Sequence, residues 1–292
     1  MRLDKQNIFI YSLFLSITLI GIIYGNVIKS SYSGLRIWQL ENILILCLAI
    51  PFLFLQKMAG LPNFFDNYNS NKVRLLQPIL IGAIFGILDI IVIKIIQHPQ
   101  PYSELPPFLQ PFPYSLFLYF SGALEIEVFY RLIPITIILI IGNKLADGKY
   151  QSYFIWIALI ATSIREPLEQ FPTGEIWFMI YAFLSGFLMN YIQASYYLKA
   201  GFLSSLTLRL GHYLFWHIIL GIYVQYVEIV KLLLLFIYLI DEINQPFKVS
   251  CLVVVHGHMR SFWTKKECAI LYFVCNHFHC FRIHRIKCAA DT

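Results

Sequence analysis

Long apolar runs dominate this sequence and restrict the kind of fold that it can adopt. They are separated by short polar loops and lie near residues 8–25, 38–56, 75–97, 113–141, 153–170, 176–198, 202–225 and 227–241. A helix that crosses a membrane needs roughly 20 predominantly apolar residues. Open strands are excluded there, because lipid cannot satisfy their unpaired backbone groups. We therefore predict an all-α protein, a polytopic transmembrane helical bundle of about seven or eight spans.

The composition excludes an ordinary soluble domain. Only 13% of the residues are charged and 59% are hydrophobic, whereas a soluble domain carries about 25% charged residues. The net charge of +6 could favour a nucleic-acid partner, but the cations lie in loops between the apolar runs. Cations in such loops set the topology of a membrane protein. We predict the lipid bilayer as a partner and no nucleic acid.

The distribution of Lys and Arg among the loops predicts the orientation. Basic residues occur in loops 57–74 and 142–152, whereas the proline-rich loop 98–113 has none and the turn 166–175 holds glutamates. With the amino terminus inside, both basic loops face the cytoplasm, as the positive-inside rule requires. The sequence thus predicts an integral protein of the cell inner membrane whose amino terminus is cytoplasmic.

Two regions of different character divide the chain. Residues 1–241 are predicted to form a multi-span membrane domain, and residues 242–292 a basic cytoplasmic tail rich in Cys and His. We interpret the tail as poorly ordered or as translated from a shifted reading frame. The alternative is a zinc site, because thiolates and imidazoles suit zinc. Its ligands would be Cys275, His277, His279 and Cys280. For the protein as a whole we predict no metal and no cofactor.

One predicted span contains two carboxylates and a guanidinium. Residues 123–131 read Ala-Leu-Glu-Ile-Glu-Val-Phe-Tyr-Arg. Hydrocarbon solvates a charge poorly, so ionisable groups at that depth face a partner or a water-filled cavity. Glu127 and Arg131 are four residues apart, which places them on one face of an α-helix and within pairing reach. Glu125 is adjacent to this pair in sequence, but two residues along an α-helix it points in another direction.

Estimated depths bring ionisable groups of several spans to one level. At 1.5 Å per residue, Arg131 lies about 15 Å from the cytoplasmic end of its span. Further residues reach roughly 10–20 Å by the same estimate: Asp89, Arg165, Arg209 and His212. We therefore predict a polar chamber near the midplane. The alternative for Asp89 is a pair with Lys94 or contact with the interface.

Three segments supply the candidate catalytic residues: 125–131, 163–166 and 209–217. A buried carboxylate can act as a general base towards water, and a histidine can share its proton or stabilise an oxyanion. An arginine can hold a carboxylate in place. The candidates are Glu125, Glu127, Arg131, Arg165, Glu166, Arg209, His212 and His217.

Each candidate also has a structural interpretation. Glu127 and Arg131 can form an ion pair that fixes helix packing, and Arg209 can hold Glu127 or Glu166. His217 is expected about 140° around an α-helix from His212. Because Pro167 follows them, Arg165 and Glu166 can mark the end of a helix in water.

The spacing Glu127-x-x-x-Arg131, followed by spans that end in a histidine-bearing helix, resembles the CPBP family of intramembrane proteases. That family includes CAAX prenyl endopeptidases and bacteriocin-processing proteins. The resemblance covers residues 110–225. The first family motif is Glu-Glu, three residues and Arg, and here Ile126 occupies the position of the first Glu.

The other two family motifs are altered as well. The second ends in Phe-x-x-x-His, and Arg165 stands where that histidine would be. The third is His-x-x-x-Asn or Asp. His212 matches its first position, Trp216 stands at its last, and His217 follows.

The resemblance implies an intramembrane endopeptidase that hydrolyses a peptide bond with a water activated by Glu and His. Glu127 would be the base or its supporter, Arg131 its orienter, and His212 the oxyanion or proton partner. The partner implied is a peptide or membrane-protein substrate. One alternative is a non-catalytic membrane scaffold or immunity-type protein on the same fold, which the altered motifs favour. Another is a small transporter whose midplane charges line a path.

Overall fold

Helices make up the regular structure of the part of the chain that the computed structural model describes, residues 2–32, 34–65, 68–96 and 108–226. No strand occurs in those ranges, which confirms the all-α prediction for them. The α-helices are α1 (Arg2–Ile28), α2 (Leu40–Cys47), α3 (Ala49–Leu55), α4 (Gln77–Ile90), α5 (Tyr114–Glu127), α6 (Ile133–Lys144), α7 (Gln151–Glu169), α8 (Ile176–Ala200) and α9 (Phe202–Tyr213).

Several π-helical turns connect or extend these helices. Lys72–Leu76 precedes α4 and Ile91–Ile96 follows it, Val128–Leu132 joins α5 to α6, and Leu214–Ile219 continues α9. In a π-helix the backbone hydrogen bonds run between residues five apart, so residues five apart stack on one face. Such turns are frequent at functional sites. Here they directly follow the helix ends that carry the candidate residues.

The helices coincide with the predicted apolar runs as far as the structure describes them. The run 38–56 is divided into α2 and α3 at Leu48. The run 227–241 and the tail 242–292, with its alternative zinc ligands, lie outside the described residues.

Within the described residues, three helical stretches are long and apolar enough to cross a membrane: Lys5–Ser31, Lys72–Ile93 and Ile176–Ala200. These are candidate spans by length and composition. They are compatible with a membrane protein.

The core lies between α5, α6, α8 and α9, with α1 to α3 packed on one side. Its buried side chains include Leu124, Val128 and Leu132 from the α5–α6 segment, and Tyr197 from α8. The hydroxyl of Tyr11 on α1 donates a hydrogen bond to the carbonyl oxygen of Leu46 at 2.9 Å. That bond ties the amino-terminal helices to each other beside the core.

Helices α4 and α9 pack closely because glycines face each other's backbone. A Cβ added at Gly82 would lie 1.9 Å from the carbonyl oxygen of Leu208, and one at Gly211 would lie 2.3 Å from that of Ile79. Any side chain would therefore force the two helices apart. The close approach aligns their carboxyl ends, where Asp89 and His212 lie.

Substitution of Gly211 by alanine tests this packing. We expect Gly211→Ala to destabilise the protein by roughly 1–3 kcal/mol, the usual cost of overpacking, and to lower its melting temperature in detergent. The matched control is Gly122→Ala in α5, where a Cβ would meet nothing within 4 Å. This control should be neutral or slightly stabilising. Equal melting temperatures for the two variants would contradict the close contact.

Candidate functional site

A cavity of about 320 Å³ lies between α4, α7, α8 and α9 and their extensions. Its volume is at the lower end of the range for small-molecule sites. The polar residues that line it include Asp89, Glu166, Asn190, Arg209, His212 and His217. Its aromatic residues are Phe178, Tyr181, Tyr213 and Trp216. Asp89, Arg209 and His212, which the depth estimate places at one level, thus line one cavity.

Asp89 is held at the cavity wall by two hydrogen bonds from different helices. Its Oδ2 lies 2.8 Å from Nε2 of His212, and its Oδ1 accepts a hydrogen bond of 2.7 Å from the hydroxyl of Tyr181. About a quarter of the side chain, 26%, stays exposed. Because each carboxylate oxygen can accept two hydrogen bonds, Asp89 keeps lone pairs for a ligand or water.

His212 uses one ring nitrogen on Asp89 and buries the other. A carboxylate can only accept, so Nε2 of His212 carries the proton of that hydrogen bond. Its Nδ1 is buried and has no hydrogen-bond partner within the described residues. The ring therefore positions Asp89, and it offers no second nitrogen to the cavity.

His217 also lines the cavity, contrary to the expected 140° separation from His212. The π-helical turn Leu214–Ile219 is the reason, because it brings residues five apart towards one face. Nδ1 of His217 lies 2.9 Å from the carbonyl oxygen of Phe108, and its ring stacks on Tyr119 with centroids 4.2 Å apart. Since a carbonyl only accepts, Nδ1 carries the proton, and Nε2 of the neutral ring keeps a lone pair.

Arg209 joins two buried carboxylates, which confirms the prediction that it holds one. Its Nε donates to Oε1 of Glu127 at 3.0 Å. Its two terminal nitrogens donate to the two oxygens of Glu166 at 2.8 and 2.6 Å. This bidentate geometry is the stronger kind of charge-assisted pair. Only 1% of the Arg209 side chain is exposed, so the group is an internal ion cluster.

Glu127 is sealed behind the cavity wall and does not line it. Its side chain is fully buried. Oε1 accepts from Gln193 at 2.7 Å as well as from Arg209, and Oε2 accepts from the hydroxyl of Ser205. Two roles were expected for Glu127, the base or its supporter. Its position does not fit the base, because a base must reach the water that it activates.

Glu127 and Arg131 form no direct salt bridge within the described residues, although the charge of Glu127 still acts favourably on Arg131. Arg131 instead donates to the carbonyl oxygen of Thr162 at 2.9 Å and to the carbonyl and side-chain oxygens of Asn190. Arg131 lies in the π-helical turn Val128–Leu132, directly after Glu127, and its hydrogen bonds go to α7 and α8. Asn190 also accepts from Arg209 at 3.2 Å and thereby links the two arginines.

Two further candidates lie away from the cavity. Arg165 is 48% exposed, donates to Glu169 at 2.8 Å and lies 4.4 Å from the ring centre of Tyr130. It lies in the last turns of α7 and does not line the cavity, and the alternative that the helix ends before Pro167 is wrong, because α7 continues to Glu169. Glu125 is half-buried on α5 and does not line the cavity.

Several residues of the site were not predicted as such. They are Tyr181, Asn190, Gln193 and Ser205. Asn190 and Gln193 are amides three apart within an apolar helix, and that pattern is a readable signal for polar contacts between membrane helices. The side chain of Lys94, the expected partner of Asp89, lies outside the described residues.

The described part of the chain contains no group of three or more His, Cys, Asp or Glu side chains that could hold a metal ion. In comparisons with known proteins, the chain matches no family model, no curated protein and no solved structure. Its function is therefore inferred from the geometry of the cavity.

Proposed function

We propose that this chain is an intramembrane endopeptidase resembling the CPBP type, with Asp89 and not Glu127 as the base that activates water. The observation that carries the proposal is a partly exposed carboxylate fixed by His212 and Tyr181 on the wall of a cavity. The protein would cross the cell inner membrane seven or eight times, with its amino terminus in the cytoplasm. Its substrate would be a peptide or a membrane protein.

The proposed reaction begins with a water hydrogen-bonded to Asp89. The carboxylate takes a proton from this water while the water oxygen attacks the carbonyl carbon of the scissile peptide bond. The carbon–nitrogen bond then breaks, and the proton passes from Asp89 to the leaving amine. His212 and Tyr181 act by positioning Asp89, because both donate to it and neither has to move.

Donors for the developing oxyanion are present on the same wall. Trp216 and Gln170 line the cavity, and their side-chain N–H groups have no hydrogen-bond partner among the described residues. A donor that is aimed at the charge of the transition state accelerates acyl transfer. We assign this role to these two groups.

The cluster of Glu127, Arg131, Glu166 and Arg209 would form the rigid back of the site. Its two carboxylates and two guanidiniums balance in charge, so the cluster carries no net charge into the interior. Glu166 reaches the cavity, but both of its oxygens are held by Arg209. This pairing makes it a weaker candidate for the base than Asp89.

A second candidate function is a non-catalytic membrane scaffold. The burial of Glu127, the carboxylate that the family resemblance singles out, favours it. This candidate predicts a folded protein that cleaves nothing.

Cleavage of a membrane-tethered peptide library by the purified full chain tests the proposal. We expect new peptide termini in mass spectra with the wild type and none with Asp89→Asn. When the reaction runs in ¹⁸O-labelled water, each new carboxyl group should carry one labelled oxygen. A wild-type protein that melts cooperatively but yields no cleavage would refute the proposal in favour of the scaffold.

A further inference from the structure

Four side chains on the cavity wall commit their polar hydrogens to partners within the protein, whereas Trp216 and Gln170 keep theirs. Tyr181 and His212 both donate to Asp89. His217 donates to the carbonyl oxygen of Phe108. Arg209 directs its guanidinium to buried carboxylates and amides. A ligand that needs donors from these side chains would find them occupied.

Acceptors remain open on the same wall. Asp89 has accepted one hydrogen bond on each oxygen, and each oxygen can accept a second. Nε2 of His217 keeps the lone pair of the neutral ring. The positive charge of Arg209 is offset by Glu166, so Asp89 supplies the negative charge among the described lining side chains. The wall therefore suits a positively charged ligand with several donors.

A primary ammonium group has this chemistry. It carries one positive charge, three donors and no acceptor. The cavity is also lined by aromatic residues, and the face of an aromatic ring attracts a cation within about 6 Å. These rings belong to Phe178, Tyr181, Tyr213 and Trp216. A volume of about 320 Å³ accommodates an ammonium with a short alkyl stem.

We propose that the cavity binds a primary alkylammonium ion at Asp89, with the aromatic rings around its alkyl stem. One consequence rests on the proposed function: hydrolysis of a peptide bond releases such an ammonium as the new amino terminus of a product. The ammonium occupies the place of the attacking water beside Asp89. Alkylammonium ions and amino-terminal products therefore inhibit the enzyme.

Thermal melting of the purified full chain in detergent measures this binding without any need for cleavage. The probe is n-butylammonium chloride. Its controls are n-butanol, which has the same stem without the charge, and sodium chloride at equal ionic strength. A ligand that binds only the folded state raises the melting temperature as its concentration rises. We expect that rise with n-butylammonium and with neither control.

Variants localise the site. Asp89→Asn should raise the half-saturating concentration of n-butylammonium about ten- to hundredfold. This is the loss of affinity expected when a hydrogen bond to a charged group is removed. Glu169→Gln, which removes an exposed carboxylate outside the cavity, should leave binding unchanged. Should Asp89→Asn fail to fold, Trp216→Leu takes its place and should weaken binding several-fold.

The outcomes separate the two proposals. An equal shift with n-butanol, or an undiminished shift in both Asp89→Asn and Trp216→Leu, would overturn the ammonium site. A specific shift in a protein that cleaves no peptide supports the site and refutes the protease. Cleavage that n-butylammonium does not inhibit, with no shift in melting, refutes the site and leaves the protease standing.

Discussion

Arg209→Met should destabilise this protein by about 3–5 kcal/mol, the usual cost of removing one partner from a buried ion pair. Methionine keeps roughly the length of the side chain but removes the hydrogen bonds that Arg209 donates to Glu127 and Glu166. Arg131 donates its hydrogen bonds to other groups, so its charge acts on the two carboxylates without a direct hydrogen bond. Two negative charges would then lie in the interior with no direct counter-ion. Thermal melting in detergent and yield after solubilisation measure the loss.

Two further variants show whether the loss comes from charge. Arg165→Met removes an exposed arginine that bonds Glu169, and a pair of this kind contributes about 0–1 kcal/mol. The double variant Arg209→Met with Glu166→Gln restores the charge balance of Glu127 and Arg131. It should therefore melt at a higher temperature than Arg209→Met alone. If the double variant were the less stable, the ion cluster would not be the cause.

Asp89→Asn should lower kcat/KM by about 10²–10⁴-fold, the range for loss of a general acid–base group. Asparagine has nearly the same shape and can still accept a hydrogen bond from Tyr181, but it cannot take a proton from water. Because 26% of the Asp89 side chain is exposed, we expect only a small change in melting temperature. Activity would thus fall in a protein that remains folded.

Glu169→Gln is the control for loss of a carboxylate as such. Glu169 is 47% exposed, bonds Arg165 and does not line the cavity. Glu169→Gln should leave kcat/KM within about twofold of the wild-type value, as expected of a substitution on the surface. Equal activity in Asp89→Asn and Glu169→Gln would remove Asp89 from the mechanism.

Much of the helical fold was predictable, because apolar runs of this length specify helices strongly. It was also predictable that ionisable side chains from different helices lie close together. Estimated depth alone placed Asp89, Arg209 and His212 at one level, and all three line one cavity. Depth does not specify direction around a helix. Arg165 lies at a similar estimated level but faces outwards to Glu169.

The contacts within the site were less predictable, because they depend on π-helical turns. An α-helical repeat pairs Glu127 with Arg131 and separates His212 from His217. The turn Leu214–Ile219 changes the second relation, and other partners take up Arg131 and Glu127 in place of each other. A π-helical turn has no reliable sequence pattern in a single chain. A prediction that assumes the α-helical repeat throughout therefore misplaces the side chains in such turns.

The most direct test compares Asp89→Asn with Glu127→Gln in one preparation, for kcat/KM on a membrane-tethered peptide and for melting temperature. We predict that Asp89→Asn melts near the wild type and is inactive. Glu127→Gln should melt well below the wild type, because it leaves a buried guanidinium short of a partner. The opposite pattern, a stable and inactive Glu127→Gln beside a fully active Asp89→Asn, would contradict the assignment of the chemistry to the cavity at Asp89.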